Sequence, residues 1–258
     1  MLADLTAGAV EDARRREAEL PLVALERRAL AAAPAIDALA ALAPIDNVRI
    51  IAEVKRASPS RGDLADIPDP ARQARLYEQG GASAISVLTE GRRFKGSLAD
   101  LEAVRGAVSL PVLRKDFIAT AYQVFEARAA GADLVLLIVA ALDQPTLTTL
   151  HELVIELGMT PLVETHDLDE VRRASEVGAR LVGVNARDLT TFELDPTLFG
   201  RLADQIPAGT IKIAESAVLR PEDVARYRNA GADMVLVGEA LVTGDPIATL
   251  RDFLAVAA

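Results

Sequence analysis

The aliphatic run IIAEVK carries Glu53 and Lys55 two positions apart, so a strand here would turn both to one face. The same arrangement returns along the chain. PVLRKDF sets Leu113, Lys115 and Phe117 on one face, PLVE ends at Glu164, VGVNAR sets Asn185 and Arg187 on the face of Gly183, and IKIAE ends at Glu215. A lone charge at the end of an apolar run is ordinarily a solvated terminus, and Glu53 with Lys55 reads equally well as a structural ion pair. Five runs that each end in polar groups are a different matter, because buried charge is costly unless it is paired or used. Lysines and carboxylates gathered at one place supply acids and bases whose mutual fields set their proton affinities. Lys212, out of phase with Glu215, is expected to point away from this set.

A second pattern concerns anions. VLVGEALVTGDP places Gly238 and Glu239 after an aliphatic run and before a short helix, and AESAV places Ser216 and Ala217 after another. Backbone N–H groups at such a position suit a phosphate, although a single Gly there is equally a plain turn. RASPSRGD, after the first run, adds Ser58 and basic residues. His151 and His166 are the only histidines. His151 is expected on a helix surface and His166, two residues beyond Glu164, in a capping or loop role. No metal-ligand cluster, Ser-His-Asp order, GxGxxG or P-loop is present.

The elements that must hold these groups alternate. Aliphatic runs at Ile50–Val54, Ala84–Leu88, Pro111–Leu113, Leu134–Val139, Thr160–Val163, Leu181–Val184, Ile211–Ala214 and Met234–Val237 are predicted strands. Helical stretches fall between them, including Pro70–Gln79, Leu98–Val108, Thr120–Ala130, Gln144–Leu157, Leu168–Val177 and Pro221–Ala230. Gly-Ala at 81–82, 131–132, 178–179 and 231–232 marks left-handed helix ends. Eight βα units fit an α/β fold, a (β/α)8 TIM barrel, and the rhythm alone also fits a doubly wound sheet. In a barrel the polar strand ends meet at one mouth. About 45 Ala-rich residues precede the first strand, broken at Pro21, Pro34 and Pro44. They read as an N-terminal helical extension, about residues 1–47, of one domain covering 1–258.

Composition narrows the function. The 258 residues carry a net charge of -10 and few aromatics, which argues against nucleic acid as a partner. The longest apolar run is too short for a bilayer span, and the first residues lack the order of a signal peptide. The absence of cysteine removes thiolate chemistry and fits the cytoplasm.

IAEVKRASPSRGD, SVLTEGRRFKGSLADL, PVLRKDFI, ADLVLLIVAAL, LVETHD, VGVNARDL, IAESAV and VLVGEAL, in that order, resemble the indole-3-glycerol phosphate synthase family, a lyase family of tryptophan biosynthesis. The likeness runs from about Ile50 to Leu241, and the N-terminal extension fits it. It implies ring closure, decarboxylation and dehydration of 1-(2-carboxyphenylamino)-1-deoxyribulose 5-phosphate, a small phosphorylated substrate, without a cofactor or metal, in a monomer. By the same resemblance, Lys115 is the general acid at the C2 oxygen, and Lys55 lies by the substrate carboxylate and hydroxyls, with a part in the loss of water. Glu164 is a base or charge stabiliser, while Glu53, Asn185 and Glu215 hold and tune these groups. Arg187 and Ser58 fix anionic and polar parts of the substrate, and Phe94, Phe117, Leu136 and Leu189 wall its ring. Ser216, Ala217, Gly238 and Glu239 surround its phosphate.

Two positions depart from the family's commonest pattern. Ala217 stands where Gly is frequent and Glu239 where Ser is frequent, so the Glu239 carboxylate is expected to turn from the anion. Residues 60–62 are expected to be mobile. Among alternatives, phosphoribosylanthranilate isomerase chemistry uses a Cys and Asp pair, and this chain lacks Cys. A barrel kept only as a scaffold would not need Lys55, Lys115 and Glu164.

Overall fold

The computed structural model describes residues 1–189 and 191–256. Eight strands, β1 (Arg49–Val54), β2 (Ala84–Leu88), β3 (Val112–Lys115), β4 (Leu134–Ile138), β5 (Thr160–Thr165), β6 (Leu181–Asn185), β7 (Ile211–Glu215) and β8 (Met234–Val237), form the sheet. All neighbours are parallel, and β1 pairs with both β2 and β8, through Ile51–Ala84 and Ile50–Val235 among others. The ring is therefore a closed barrel and not a doubly wound sheet.

The period-two rule sorts every strand. Ile51, Leu113, Leu134, Leu136, Leu162, Leu181, Ile213 and Leu236 fill the barrel interior. Ile50, Ala52, Val87, Val112, Val135, Val163, Val182 and Val235 face the helices. Six helices lie close to the expected bounds: α4 (Pro70–Gly80), α5 (Leu98–Arg105), α6 (Ala121–Ala129), α7 (Gln144–Glu156), α8 (Leu168–Glu176) and α10 (Pro221–Asn229). Gly81, Gly131, Gly178 and Gly231 all take positive φ, as the Gly-Ala pairs implied. Short α9 (Leu198–Leu202) and α11 (Glu239–Val242) and the final α12 (Pro246–Leu254) complete the ring. Among the described residues no helix is long and apolar enough to cross a membrane.

The extension forms α1 (Leu2–Glu19), α2 (Leu22–Ala31) and α3 (Ala38–Ala41), with Pro21 as the N-cap of α2. Leu5 and Ala9 join the barrel-interior cluster, and Arg92, in the loop after β2, pairs with Glu11 and Asp12 of α1. This is the mouth side. Helix α2 runs along α6, from a Tyr122 hydroxyl donating to Leu20 O at its start to an Arg128 guanidinium on Ala32 O at its end. Ala38 and Leu42 then join the interior cluster from the opposite side, where Asp133 at the foot of β4 accepts the Ile36 N–H.

Strand β3 shows the two sides of one strand most clearly. Arg114, fully buried and outward, donates to Gln123 O at 2.6 Å and Asp116 Oδ2 at 2.9 Å, with Glu126 at 3.4 Å. Glu126 also takes Arg16 of α1. Lys115, the next residue, points inward.

Candidate active site at the strand ends

Register fixes the depth of each polar side chain. Leu88 is level with Lys115, Glu164 with Gly183 and Asn185 with Glu215. The inward polar residues all lie at or near the C-terminal ends of their strands. Above them lies a cavity of about 570 Å³. Every candidate site residue read from the sequence lines it: Glu53, Lys55, Lys115, Glu164, Asn185 and Glu215 at the floor, the ring-wall set, and the loop set Ser58, Arg187, Ser216, Ala217, Gly238 and Glu239.

Lys115 Nζ stands 2.9 Å from Glu164 Oε2 and 3.1 Å from Glu215 Oε2. Burial works against its charge, but the carboxylates of Glu164, Glu215 and Glu53 outweigh it, so Lys115 holds its proton more firmly than an ordinary lysine. The two acids split. Burial pushes Glu215 up to about 8, reinforced by the neighbouring Glu164 charge. Burial also opposes ionisation of Glu164, yet Lys115 and His166 hold its carboxyl well below the usual range. Among the described residues neither Glu215 oxygen has a hydrogen bond of good geometry, which suits a carboxyl that keeps its proton near neutrality.

Glu215 has room only because residue 183 lacks a side chain. A Cβ there would run into Glu215 Oε1 and lie 3.2 Å from its Cδ. Gly238 plays the same part across the barrel, where a Cβ would meet Glu53 Oε1 at 2.7 Å and Lys55 Nζ at 2.8 Å. Glu53 and Lys55 are paired at 2.6 Å, and Ser86 Oγ donates to the other Glu53 oxygen at 3.4 Å. Both readings of this pair thus hold: it is an ion pair, and it lines the cavity.

The ring-wall residues come from four places along the chain. Phe117 follows β3 and meets Phe94 with ring centroids 6.2 Å apart, tilted by 44°. Phe94 is held by Glu90, whose carboxylate accepts the N–H groups of Arg92, Arg93 and Phe94. Leu136 rises from β4, and Leu189 from the loop after β6.

The loop groups form a second, cationic end. Asn185 Oδ1 accepts from Arg187 N at 3.1 Å and Ser216 Oγ at 2.8 Å, tying the loops after β6 and β7 together. Burial lowers the proton affinity of Arg187, and its guanidinium donates to Phe192 O at 3.1 Å. Ser216 and Ala217 take φ of 69° and 55°, a left-handed pair at the position where Gly is frequent.

Two expectations need correction. His151 is buried, not on the surface, because it shares the inner face of α7 with Leu147, Leu150 and Val154. His166 does more than cap: its Nε2 lies 3.5 Å from Glu164 Oε1 and its Nδ1 3.0 Å from Glu170 Oε2. Residues 58 and 62 pair in a small antiparallel hairpin, and Arg61 at its turn binds the Glu239 carboxylate, Nε to Oε1 at 3.0 Å. Glu239 is thereby engaged by Arg61 at the cavity rim. Among the described residues no His, Cys, Asp or Glu side chains are grouped so as to hold a metal ion.

Fold and site together put the chain among (β/α)8 barrels that gather ionisable groups in a cavity at the C-terminal face. A family model described as indole-3-glycerol phosphate synthase matches residues 2–253. A protein of that name from Leifsonia xyli is 72% identical, over 98% of this chain and 97% of its own length. Indole-3-glycerol phosphate synthase 1 of Streptomyces coelicolor is 56% identical over 99% and 95%. The chain belongs to the indole-3-glycerol phosphate synthase family. Among solved structures, an N-acetylmannosamine-6-phosphate 2-epimerase from Clostridium perfringens has a TM-score of 0.59 at 17% identity, covering 76% of this chain and 88% of that one. A thiamine phosphate pyrophosphorylase from Pyrococcus furiosus has 0.60 at 15%, covering 80% and 93%. At such identities these two share the fold alone.

Proposed function

We propose that this chain converts 1-(2-carboxyphenylamino)-1-deoxyribulose 5-phosphate into indole-3-glycerol phosphate, carbon dioxide and water. One observation carries the residue assignment: Lys115 Nζ, held 2.9 Å from Glu164 and 3.1 Å from Glu215, stands below a pocket whose other wall is Phe94 and Phe117.

In this reading the aniline ring lies between the two phenyl groups and the ribulose C2 carbonyl over Lys115. The ring carbon bearing the carboxylate attacks C2, the C=O pair moves to oxygen, and Lys115 supplies the proton. The ring is then cationic and no longer aromatic. Its carboxylate leaves as carbon dioxide, and the C–C pair restores aromaticity. Glu164, held ionised, stabilises that cation. Loss of water needs a second proton on the C2 oxygen, from Lys55, and removal of one from the adjacent CH2 by an ionised carboxylate, Glu164. Two protons in and one out balance a carboxylate lost as neutral gas. Glu53 and Glu215 tune the two lysines, and Asn185 orients Ser216.

The phosphate is assigned to the opposite end. Arg187 is supported by its half-buried guanidinium, Ser58 by its place on the hairpin, and Ser216, Ala217 and Gly238 by backbone. Consecutive residues in turn conformations form N–H concavities that take anions. Glu239, held by Arg61, contributes its N–H at most. The test is direct: the purified chain and the carboxyphenylamino substrate should give indole fluorescence and release carbon dioxide in equal amounts. Fluorescence that stays flat at micromolar enzyme would reject the reading.

A further inference from the structure

The function just described leaves His166 without a part, yet the ring is clamped between two carboxylates. Helix α8 begins at its N-cap Asp167, whose carboxylate accepts the Glu170 N–H at 2.8 Å. That cap turns Glu170 back over the start of the helix, where its Oε2 accepts the His166 backbone N–H at 2.7 Å and faces His166 Nδ1 at 3.0 Å. An ionised carboxylate can only accept, so Nδ1 carries a hydrogen. The other ring nitrogen, Nε2, is buried and faces Glu164 Oε1 at 3.5 Å, with no hydrogen bond of good geometry among the described residues. If Nε2 were bare, its lone pair would point at an anionic oxygen. If it is protonated, the ring is an imidazolium between two anions. The titratable groups facing it are Glu164 on β5, Glu170 on α8 and Glu215 on β7, with Lys115 on β3 beyond Glu164.

We propose that His166 is a positioning residue for Glu164: as an imidazolium between Glu170 and Glu164, it keeps Glu164 ionised and turned with its second oxygen on Lys115. The proposal rests on the reading of Glu164 as the group that meets the ring cation. It gives the helix α8 cap a share in the chemistry, because Glu170 holds the ring by its Nδ1–H and Asp167 sets Glu170. Burial opposes the charge on His166, and Glu170 and Glu164 overcome it, so its proton affinity is raised.

Two measurements test this. The chain has two histidines, so its imidazole NMR signals are few, and His151→Gln assigns them. In the intact protein His166 should titrate above the ordinary histidine value of about 6.5. Glu164→Gln and Glu170→Gln should each lower that value by about one unit or more, as removal of a close opposite charge does. A His166 titration at or below about 6.5, or one unmoved by Glu164→Gln, overturns the proposal without reference to activity. The second measurement is kinetic. His166→Gln keeps a polar side chain but no charge, so Glu164 should take a proton at higher pH. The acid limb of kcat/KM should rise by about one unit, with kcat falling about tenfold and KM within about threefold. A folded His166→Gln protein with the wild-type acid limb overturns it. Wild type serves as the control: if it does not turn over the substrate, the reaction assignment fails, and the NMR titration still decides the role of His166.

Discussion

Replacing Gly183 by Ala adds one methyl to the barrel and aims it at one functional group. The new Cβ would overlap Glu215 Oε1 and sit 3.2 Å from Glu215 Cδ, while its next neighbour, Leu162 Cδ1 at 3.5 Å, is at ordinary contact distance. Gly183 is not among the glycines with positive φ, so the methyl brings no backbone strain. The whole effect therefore falls on Glu215, whose carboxyl must swing by about 1 Å or more, a displacement that can cost about a hundredfold in rate. Lys115 stands 3.1 Å from Glu215 Oε2 and would lose that contact while keeping Glu164. Overpacking of this kind costs about 1–3 kcal/mol of stability, so the barrel should survive. The assay is kcat by indole fluorescence beside thermal unfolding, with KM expected within about threefold. A double-mutant cycle sharpens it: in a Glu215→Ala background, Gly183→Ala should cost nothing further. A folded Gly183→Ala enzyme with kcat within about threefold of wild type would refute the reasoning.

Lys115→Ala should lower kcat by about 10²–10⁴-fold with little change in KM, as for a proton donor needed only in the transition state. Arg187→Ala should raise KM instead, and steady-state kinetics of both on one substrate separates the two roles. Glu215, pushed up to about 8 when folded, binds its proton more tightly than in the unfolded chain. Its contribution to stability is therefore full below about pH 4.3 and lost as pH rises through about 8. The neutral Glu215→Gln variant should gain in Tm relative to wild type between about pH 4.3 and about pH 8, and a constant difference would contradict the assignment. Ala217→Gly relieves a left-handed strain of about 1–2 kcal/mol and adds back about 0.4–1 kcal/mol of unfolded-chain entropy. The denaturation midpoint should hold or rise, and a clear fall would show that the loop gains from Ala. Removal of residues 1–47 uncovers the interior cluster at both ends of the barrel, so the remainder should melt earlier or bind substrate more weakly, as read by Tm and KM.

The barrel rhythm was legible because parallel strands buried on both sides are aliphatic runs and because Gly-Ala pairs end the helices between them. The strand ends were not. Strands β5, β6 and β7 continue to Thr165, Asn185 and Glu215, past the aliphatic run, since the ladder is made by backbone groups that ignore side-chain polarity. The inward polar residues were readable from period two alone, which is why Glu53, Lys55, Lys115, Glu164, Asn185 and Glu215 all reach the cavity. His166 carried the same signal, two residues from Glu164 and four from Glu170, and was read as a capping or loop residue because it stands beyond the aliphatic run. His151 was legible too, being in helical phase with Leu147 and Val154. The Arg61–Glu239 contact joins residues too far apart in the chain for any local pattern to reveal.

The end of β3 and the two residues after it carry two kinds of consequence in alternate letters. Arg114 and Asp116 belong to the ionic lattice that ties β3 to α6 and, through Glu126 and Arg16, to α1. Lys115 and Phe117, interleaved with them, face the cavity, whose edge Asp116 also touches. A genetic screen across these four codons should separate accordingly. Losses at 114 and 116 should be conditional, tolerated at low growth temperature and lethal at high, whereas losses at 115 should be absolute at every temperature. Suppressors should follow the same division: a general stabilising substitution elsewhere in the barrel can rescue the even codons and cannot rescue 115. Neighbouring letters of one strand would thus mutate under separate rules, and the chemistry could drift without disturbing the frame that holds it.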